Sequence, residues 1–233
     1  MATRRSYGSY DDGCAAAHAL DIVGERWSLL VVRELVLGPK RFTDLRSGVP
    51  GASANVLAQR LRDLEDDGVI RRRTLGPPLG ANVYELTEWG LQLESVLQVL
   101  GRWGAQSPSM PHGASVGVDT IVLAMRTMMP AEGLPANLQL NLELRFGHDR
   151  FRVTASEGAV SIERGSCPGP DAVVSTDANT LDKIVFYGAA LQGAMDSGKL
   201  QIAGDQAAVE RYLALFPQLA PANEANPPEA VAS

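Results

Sequence analysis

The 233-residue sequence predicts an α+β protein in two parts, a helical N-terminal half closed by a β-hairpin and a C-terminal half with helices on a mostly antiparallel five-stranded sheet. Three observations lead there. Apolar residues recur at helical spacing, with glycine stops, through the first half; strict alternation takes over at Leu138; and a run of small residues over 104–117 (GAQSPSMPHGASVG) separates the two textures. That run reads as a linker, which gives domains at 1–103 and 118–219 and a proline-rich tail at 220–233 that is expected to be disordered. With 45% apolar residues, each part has enough to fill a core.

Cys14 to Val23 predicts the first helix, stopped by Gly24. Arg26 to Leu37 is apolar almost all round, with Arg33 and Glu34 as its interior charges, and reads as a buried central helix ended by Gly38-Pro39. Phe42, Leu45 and Val49 mark a short helix closing near Gly48, and a Pro50-Gly51 turn leads to Ser53, a good N-cap. The next helix, Ala54 to Asp67, places Ala54, Leu57, Leu61 and Leu64 inward and ends at Gly68. At 100° per residue this leaves Asn55, Gln59, Arg62 and Asp66 on the outer face, with Ala58 beside them.

Val69 to Thr74 and Asn82 to Leu86 read as strands around LGPPLGA, with three consecutive arginines on the first arm. Helix, helix, turn, helix and hairpin in that order make a winged helix-turn-helix. Thr87 then caps a long helix on which Trp89, Leu93, Val96, Leu100 and Trp103 fall at spacings of 4, 3, 4 and 3. That is the seam of a helix packing on another helix, either of a second copy, making a homodimer, or of the same chain.

In the second half, residues 118–129 read as an apolar helix. Leu138, Leu140, Leu142, Leu144 and Phe146 alternate with polar residues, and turns at Gly147-His148-Asp149 and Ser156-Glu157-Gly158 extend this strand into an antiparallel meander. Val173-Val174 and Leu200 to Ile202 suggest the fourth and fifth strands, with one or two helices over Leu181 to Met195 between them. Asp205 caps a last helix carrying Val209, Tyr212, Leu213 and Phe216.

The formal charge of −6 is unevenly spread. Residues 1–110 carry 13 basic and 13 acidic side chains, whereas 111–233 carry 8 and 14, so the whole excess lies in the second half. Arg26 to Arg73 holds 10 basic against 6 acidic residues. This excludes a uniformly basic coat protein and gives no polybasic membrane anchor. Two cysteines are too few for a disulfide framework, and no apolar run is long enough to span a bilayer, so a cytoplasmic protein without a membrane partner is expected. His18, His112 and His148 lack metal spacing, and no nucleophile elbow, P-loop or dinucleotide fingerprint is present. Neither enzyme activity nor a cofactor is expected.

The stretch CAAAHALDIVGERWSLLVVRELVLGPKRFTDLRSGVPGASANVLAQRLRDLEDDGVI, with its proline-containing hairpin and YELTEWG, closely resembles the HxlR family of bacterial winged-helix regulators. Cys14, Gly24, Trp27, Arg33-Glu34, Gly38-Pro39, Arg41-Phe42, Leu45, Arg60-Leu61, Asp67-Gly68 and Leu86-Thr87 stand in family order, from about Cys14 to Trp103. The resemblance implies a dimeric regulator on operator DNA. The family pattern places an arginine directly after the proline pair; here Leu79-Gly80-Ala81-Asn82 makes a longer hairpin without it. From about Val118 to Pro217 the chain is similar to sterol-carrier-protein type 2 domains, most clearly in FYGAALQGAMDSGKLQIAGDQAAVERYLALF. That similarity implies a domain holding a small hydrophobic ligand in an apolar cavity. The competing class is a lipid-binding or lipid-carrier protein.

In a major groove Asn and Gln pair with adenine and Arg with guanine, so Asn55, Gln59 and Arg62 are the candidate base readers, with Ser53 as a weaker candidate. Arg60 lies nearer the buried flank and reads as an ion-pair partner or a phosphate contact. One or two of Arg71, Arg72 and Arg73 are expected on DNA, because alternation turns Arg72 away from its neighbours, and Lys40 and Arg41 are expected on the phosphate backbone. Met125, Met128, Met129, Phe186, Tyr187, Leu191 and Met195 fit an apolar cavity lining and fit core packing equally well. Cys14 stands where the family places a thiol that senses oxidants in some members. Its neighbours Asp11 and Asp12 argue instead for a high thiol pKa and a buried packing role.

Overall fold

The computed structural model describes residues 9–76, 80–111, 113–130, 134–135 and 137–219. The expected wing tip at 77–79, His112 in the expected linker, and the tail at 220–233 lie outside the described residues. The chain divides into two compact units, Met1–Leu97 and Gln98–Ser233, and the division falls upstream of the 104–117 run.

The first unit contains α1 (Ala15–Val23), α2 (Ser28–Val36), α3 (Phe42–Gly48), α4 (Ala54–Asp66), β1 (Ile70–Thr74), β2 (Asn82–Leu86) and α5 (Glu88–Leu91), followed by α6 (Leu93–Ala105), within which the division falls. Val31, Val32, Leu35, Leu45, Leu57, Leu61 and Leu64 are buried and join α2, α3 and α4 into one core. The central helix starts later than its apolar pattern suggests, because Trp27 takes a left-handed φ of 82° and caps α2 from outside. Glu34 is buried on α2, a position that is costly for an unpaired carboxylate. Arg33 Nη2 at 2.8 Å and Lys40 Nζ at 2.6 Å supply its partners.

Strands β1 and β2 pair antiparallel in the register Arg71↔Glu85, Arg72↔Tyr84 and Arg73↔Val83. Thr87 Oγ1 accepts from Gly90 N and donates to Gly68 O, which ties the start of α5 to the end of α4. The single long helix expected after Thr87 is two helices. Gln92 N–H bonds to Trp89 O, three residues back, so the chain tightens for one turn between α5 and α6.

The second unit contains α7 (Val118–Met128), β3 (Leu140–Phe146), β4 (Asp149–Ser156), β5 (Ala159–Arg164), β6 (Ala172–Thr176), α8 (Ala178–Tyr187), α9 (Leu191–Asp196), β7 (Leu200–Gly204) and α10 (Gln206–Leu213). The strand order is β5-β4-β3-β6-β7. The sheet is mixed, not the mostly antiparallel one expected, because β6 enters beside β3 in parallel, with Leu142 opposite Ala172. Alternation of side chains shows which face of a strand is buried, and it is the same for parallel and antiparallel neighbours, so the pattern could not reveal this. Leu140, Leu142, Leu144, Phe146, Phe151 and Val153 are buried, and α7 and α10 pack on the sheet.

One residue breaks the alternation. Glu143 is 2% exposed although its neighbours in sequence mark it as outward-facing. Arg145 and Arg150 pair with its Oε1, and Cys167 N–H donates to Oε2 at 2.6 Å. Burial pushes this carboxyl up, but the Cys167 N–H and the two guanidinium groups outweigh it and hold Glu143 below the usual carboxylate range.

Candidate nucleic-acid interface

The polar face of α4 follows from the core beneath it. Leu57, Leu61 and Leu64 are at most 1% exposed, so the residues about half a turn away face solvent. Asn55, Val56, Gln59, Arg62 and Asp66 are exposed. Ser53 caps the helix, its Oγ accepting from Val56 N at 3.3 Å, and so fixes where the first exposed turn begins. Arg62 Nη2 donates to Gln59 Oε1 at 2.6 Å, and Gln59 Nε2 donates to Asp63 Oδ1 at 2.8 Å. Gln59 therefore has one foot in a surface chain of hydrogen bonds, whereas the Asn55 amide has no partner among the described residues.

Three candidate DNA contacts have partners within the unit: Arg60 takes the ion-pair role, one of the two expected of it, Arg72 lies on the side away from Arg71 and Arg73 as alternation indicates, and Lys40 alone departs from its expected place. Arg60 is 8% exposed, with guanidinium nitrogens 3.2 Å from Glu25 Oε2 and from Asp63 Oδ2, so it tethers α4 inside the unit and is not on the outer face. Lys40 gives its ammonium to buried Glu34, and its backbone exchanges two hydrogen bonds with Tyr84, which joins the entry of α3 to the hairpin. Arg72 donates to Tyr84 Oη at 2.6 Å and lies over that ring at 5.2 Å. Arg41 remains exposed at the N-cap of α3, its own N–H bonded to Asp44.

Arg71 and Arg73 share the other face of the hairpin. They are 66% and 51% exposed and straddle Glu85, their Nε atoms 2.7 and 3.1 Å from its two carboxylate oxygens. The clamp holds two cations at a fixed spacing while leaving their outer N–H groups in solvent. Sequence reasoning missed Glu85 as the organiser, although it lies two residues past Val83 on the facing strand. It also missed Val56, a 39%-exposed valine amid polar side chains.

The seam residues are accessible: Trp89, Val96, Leu100 and Trp103 are 50%, 47%, 45% and 74% exposed, and Leu93 is half-buried. No residue of α6 is buried. Cys14 is exposed at the N-cap of α1 and is not the buried packing residue expected. The backbone N–H groups of Ala17 and Ala16 hold its thiol below the ordinary value, because the open first turn of a helix stabilises a thiolate.

In the second unit the candidate cavity residues do not gather in one place. Met125 and Phe186 are buried in the core, at 0% and 2% exposure. Met128 and Met129 line a groove, and Tyr187 lines a different cleft with Asn179 and Asp182. Leu191 and Met195 are half-buried on α9. Among the described residues no helix is long and apolar enough to cross a membrane, and no three His, Cys, Asp or Glu side chains are placed to hold a metal ion.

Residues 22–110 match the HxlR-like helix-turn-helix family, and residues 127–224 match the alkyl sulfatase C-terminal family. The second match leaves the sterol-carrier-like domain expected from the sequence unconfirmed. An uncharacterized HTH-type transcriptional regulator of Bacillus subtilis, YtcD, is 34% identical over 99 residues, which cover 42% of this chain and 79% of YtcD. The HTH-type transcriptional regulator YodB of the same species is 35% identical over 88 residues, covering 38% of this chain and 79% of YodB. The solved reduced form of YodB aligns with 40% of this chain and 92% of its own at 34% identity and a TM-score of 0.37.

Proposed function

The chain belongs to the HxlR-like helix-turn-helix family of transcriptional regulators, and from that premise we propose that it binds double-stranded operator DNA as a homodimer in the cytoplasm. The observation that carries this reading is the exposed Asn55, Gln59 and Arg62 face of α4 beside the exposed Arg71 and Arg73 of the hairpin. In it, α4 enters the major groove, Asn55 and Gln59 read adenine, Arg62 reads guanine, and Val56 meets a thymine methyl. Arg71, Arg73 and Arg41 then bind phosphates. The exposed seam of Trp89, Val96, Leu100 and Trp103, with half-buried Leu93, supports pairing of two copies, which sets half-sites ~34 Å apart or a multiple of that. An Asn55→Ala, Gln59→Ala double variant that stays folded is expected to lose its footprint on the operator. Unchanged affinity rules out this reading face.

The 118–219 region is proposed as a sterol-carrier-like sensor of a hydrophobic ligand. Its apolar groove at Met128 and Met129 supports this, and ligand binding would act by favouring one of two conformations. Gel shifts on the DNA flanking its own gene separate a regulator from a lipid carrier, since only the regulator gives specific retardation with a steep salt dependence.

The exposed, pKa-lowered thiol of Cys14 favours a second reading, a thiol-sensing regulator. In this reading Cys14→Ser keeps operator binding and abolishes its loss on treatment with an electrophile. A variant that responds like the parent rules it out.

A further inference from the structure

Within the second unit, a groove of about 580 Å³ is lined by Met128, Met129, Leu215, Phe216 and Pro217, with Arg102 as its one charged residue. The volume lies in the range of small-molecule sites. Methionine is unbranched and polarizable, and suits an aliphatic partner of variable shape. The Thr127 hydroxyl is already committed to Leu123 O at 2.7 Å, so it offers the groove no donor.

Arg102 is not a bystander at this groove. Its Nε donates to Thr127 O at 2.8 Å, which anchors the guanidinium on the end of α7, and no carboxylate pairs with it among the described residues. Arg102 is exposed, so its terminal N–H groups remain available to a ligand. A neutral hydrophobe would leave that cation unused, and a cationic one would be repelled. A guanidinium fork fits an oxyanion head in two parallel hydrogen bonds.

We propose that this groove binds an aliphatic chain ending in a carboxylate, the head held by Arg102 and the chain lying along Met128, Met129 and Phe216. This rests on the proposed ligand-sensing role of the second unit and assigns its head-group chemistry. Because Arg102 stands in the last turn of α6, occupancy acts on the helix that carries Val96, Leu100 and Trp103.

The test is calorimetric titration of the full chain with decanoate and with decanol, both below their aggregation limits. Decanoate is expected to bind at least ~10-fold tighter, the worth of one charge-assisted pair. Arg102→Gln removes that preference while leaving decanol affinity unchanged, and Arg102→Lys restores part of it. A Met128→Gln, Met129→Gln double variant weakens both. Equal binding of the two by the parent chain, or a preference that survives Arg102→Gln, overturns the head-group assignment alone. Binding of neither overturns the sensing reading and this inference with it.

Discussion

Trp27 fills the space beside the Gly51 Cα, so that a methyl group there would stand 2.4 Å from Cη2 of the indole. The indole is itself held in place, with the Arg26 guanidinium 4.9 Å from the ring centre and a left-handed backbone at Trp27. The start of α2 therefore supports the turn that leads into α4. Gly51→Ala is expected to destabilise the first unit by about 1–3 kcal/mol, the cost of overpacking a fixed neighbour. It should also weaken operator binding by displacing the N-terminus of α4. Thermal denaturation and footprinting measure the two effects, and Pro50→Ala, at an exposed neighbouring site, should change little.

Glu85 restrains two cations that the proposed interface needs. Glu85→Gln leaves Arg71 and Arg73 without their shared counter-charge, and non-specific DNA affinity should rise. Arg71→Gln and Arg73→Gln should each lower the slope of log affinity against log salt by about 1 if that arginine contacts a phosphate. A slope unmoved in both variants places the hairpin away from the backbone.

The Glu143 carboxyl titrates below the usual range in the folded chain, so its contribution to stability is complete above the unfolded-state pKa and is lost as pH falls through the folded-state value. Glu143→Gln should therefore cost most near pH 7, on the order of 1–3 kcal/mol for the lost charge-assisted hydrogen bonds. The gap between the parent and variant melting curves should begin to narrow below the unfolded-state value of about 4.3 and keep narrowing as pH falls through the lower folded-state value. A difference that is constant from pH 7 to pH 3 is incompatible with this account.

Tyr212 is 1% exposed, and its hydroxyl has no hydrogen-bond partner among the described residues. Burial alone pushes its pKa far above the ordinary value. Removing an unpaired buried hydroxyl relieves a desolvation cost, so Tyr212→Phe should leave stability unchanged or raise it by about 1–2 kcal/mol. The edge contacts of the ring with Phe216 are preserved in the variant. A loss above about 1 kcal/mol reveals a hydrogen bond to solvent inside the unit.

Much of this architecture was legible because single residues act locally. Gly68 and Ser53 bound α4, Asp205 caps α10 through Ala208 N, and β2 runs over Asn82–Leu86, the bounds that the hairpin turn LGPPLGA indicates. The outer face of α4 followed from three buried leucines. What the sequence concealed was mostly long-range. Lys40 read as a surface cation because its partner Glu34 lies on the preceding helix, and Cys14 read as buried because helix N–H groups leave no mark on composition. The ligand residues were grouped by chemical type, yet Met128 and Met129 share a groove with Arg102, which no pattern in the sequence singled out.

The parallel pairing of β3 with β6 also sets an order of assembly. On the ribosome, the first unit depends on short-range helix contacts and one hairpin, and it can close while the second is still being made. The β3·β6 ladder must wait for the whole β4–β5 hairpin to emerge, and β6 lacks its outer neighbour until Leu200–Gly204 is synthesised. A chain truncated between those points would carry a finished DNA reader joined to an open, apolar sheet edge. Such an edge is a template for pairing with other chains, so premature termination should yield aggregates and not a constitutive regulator.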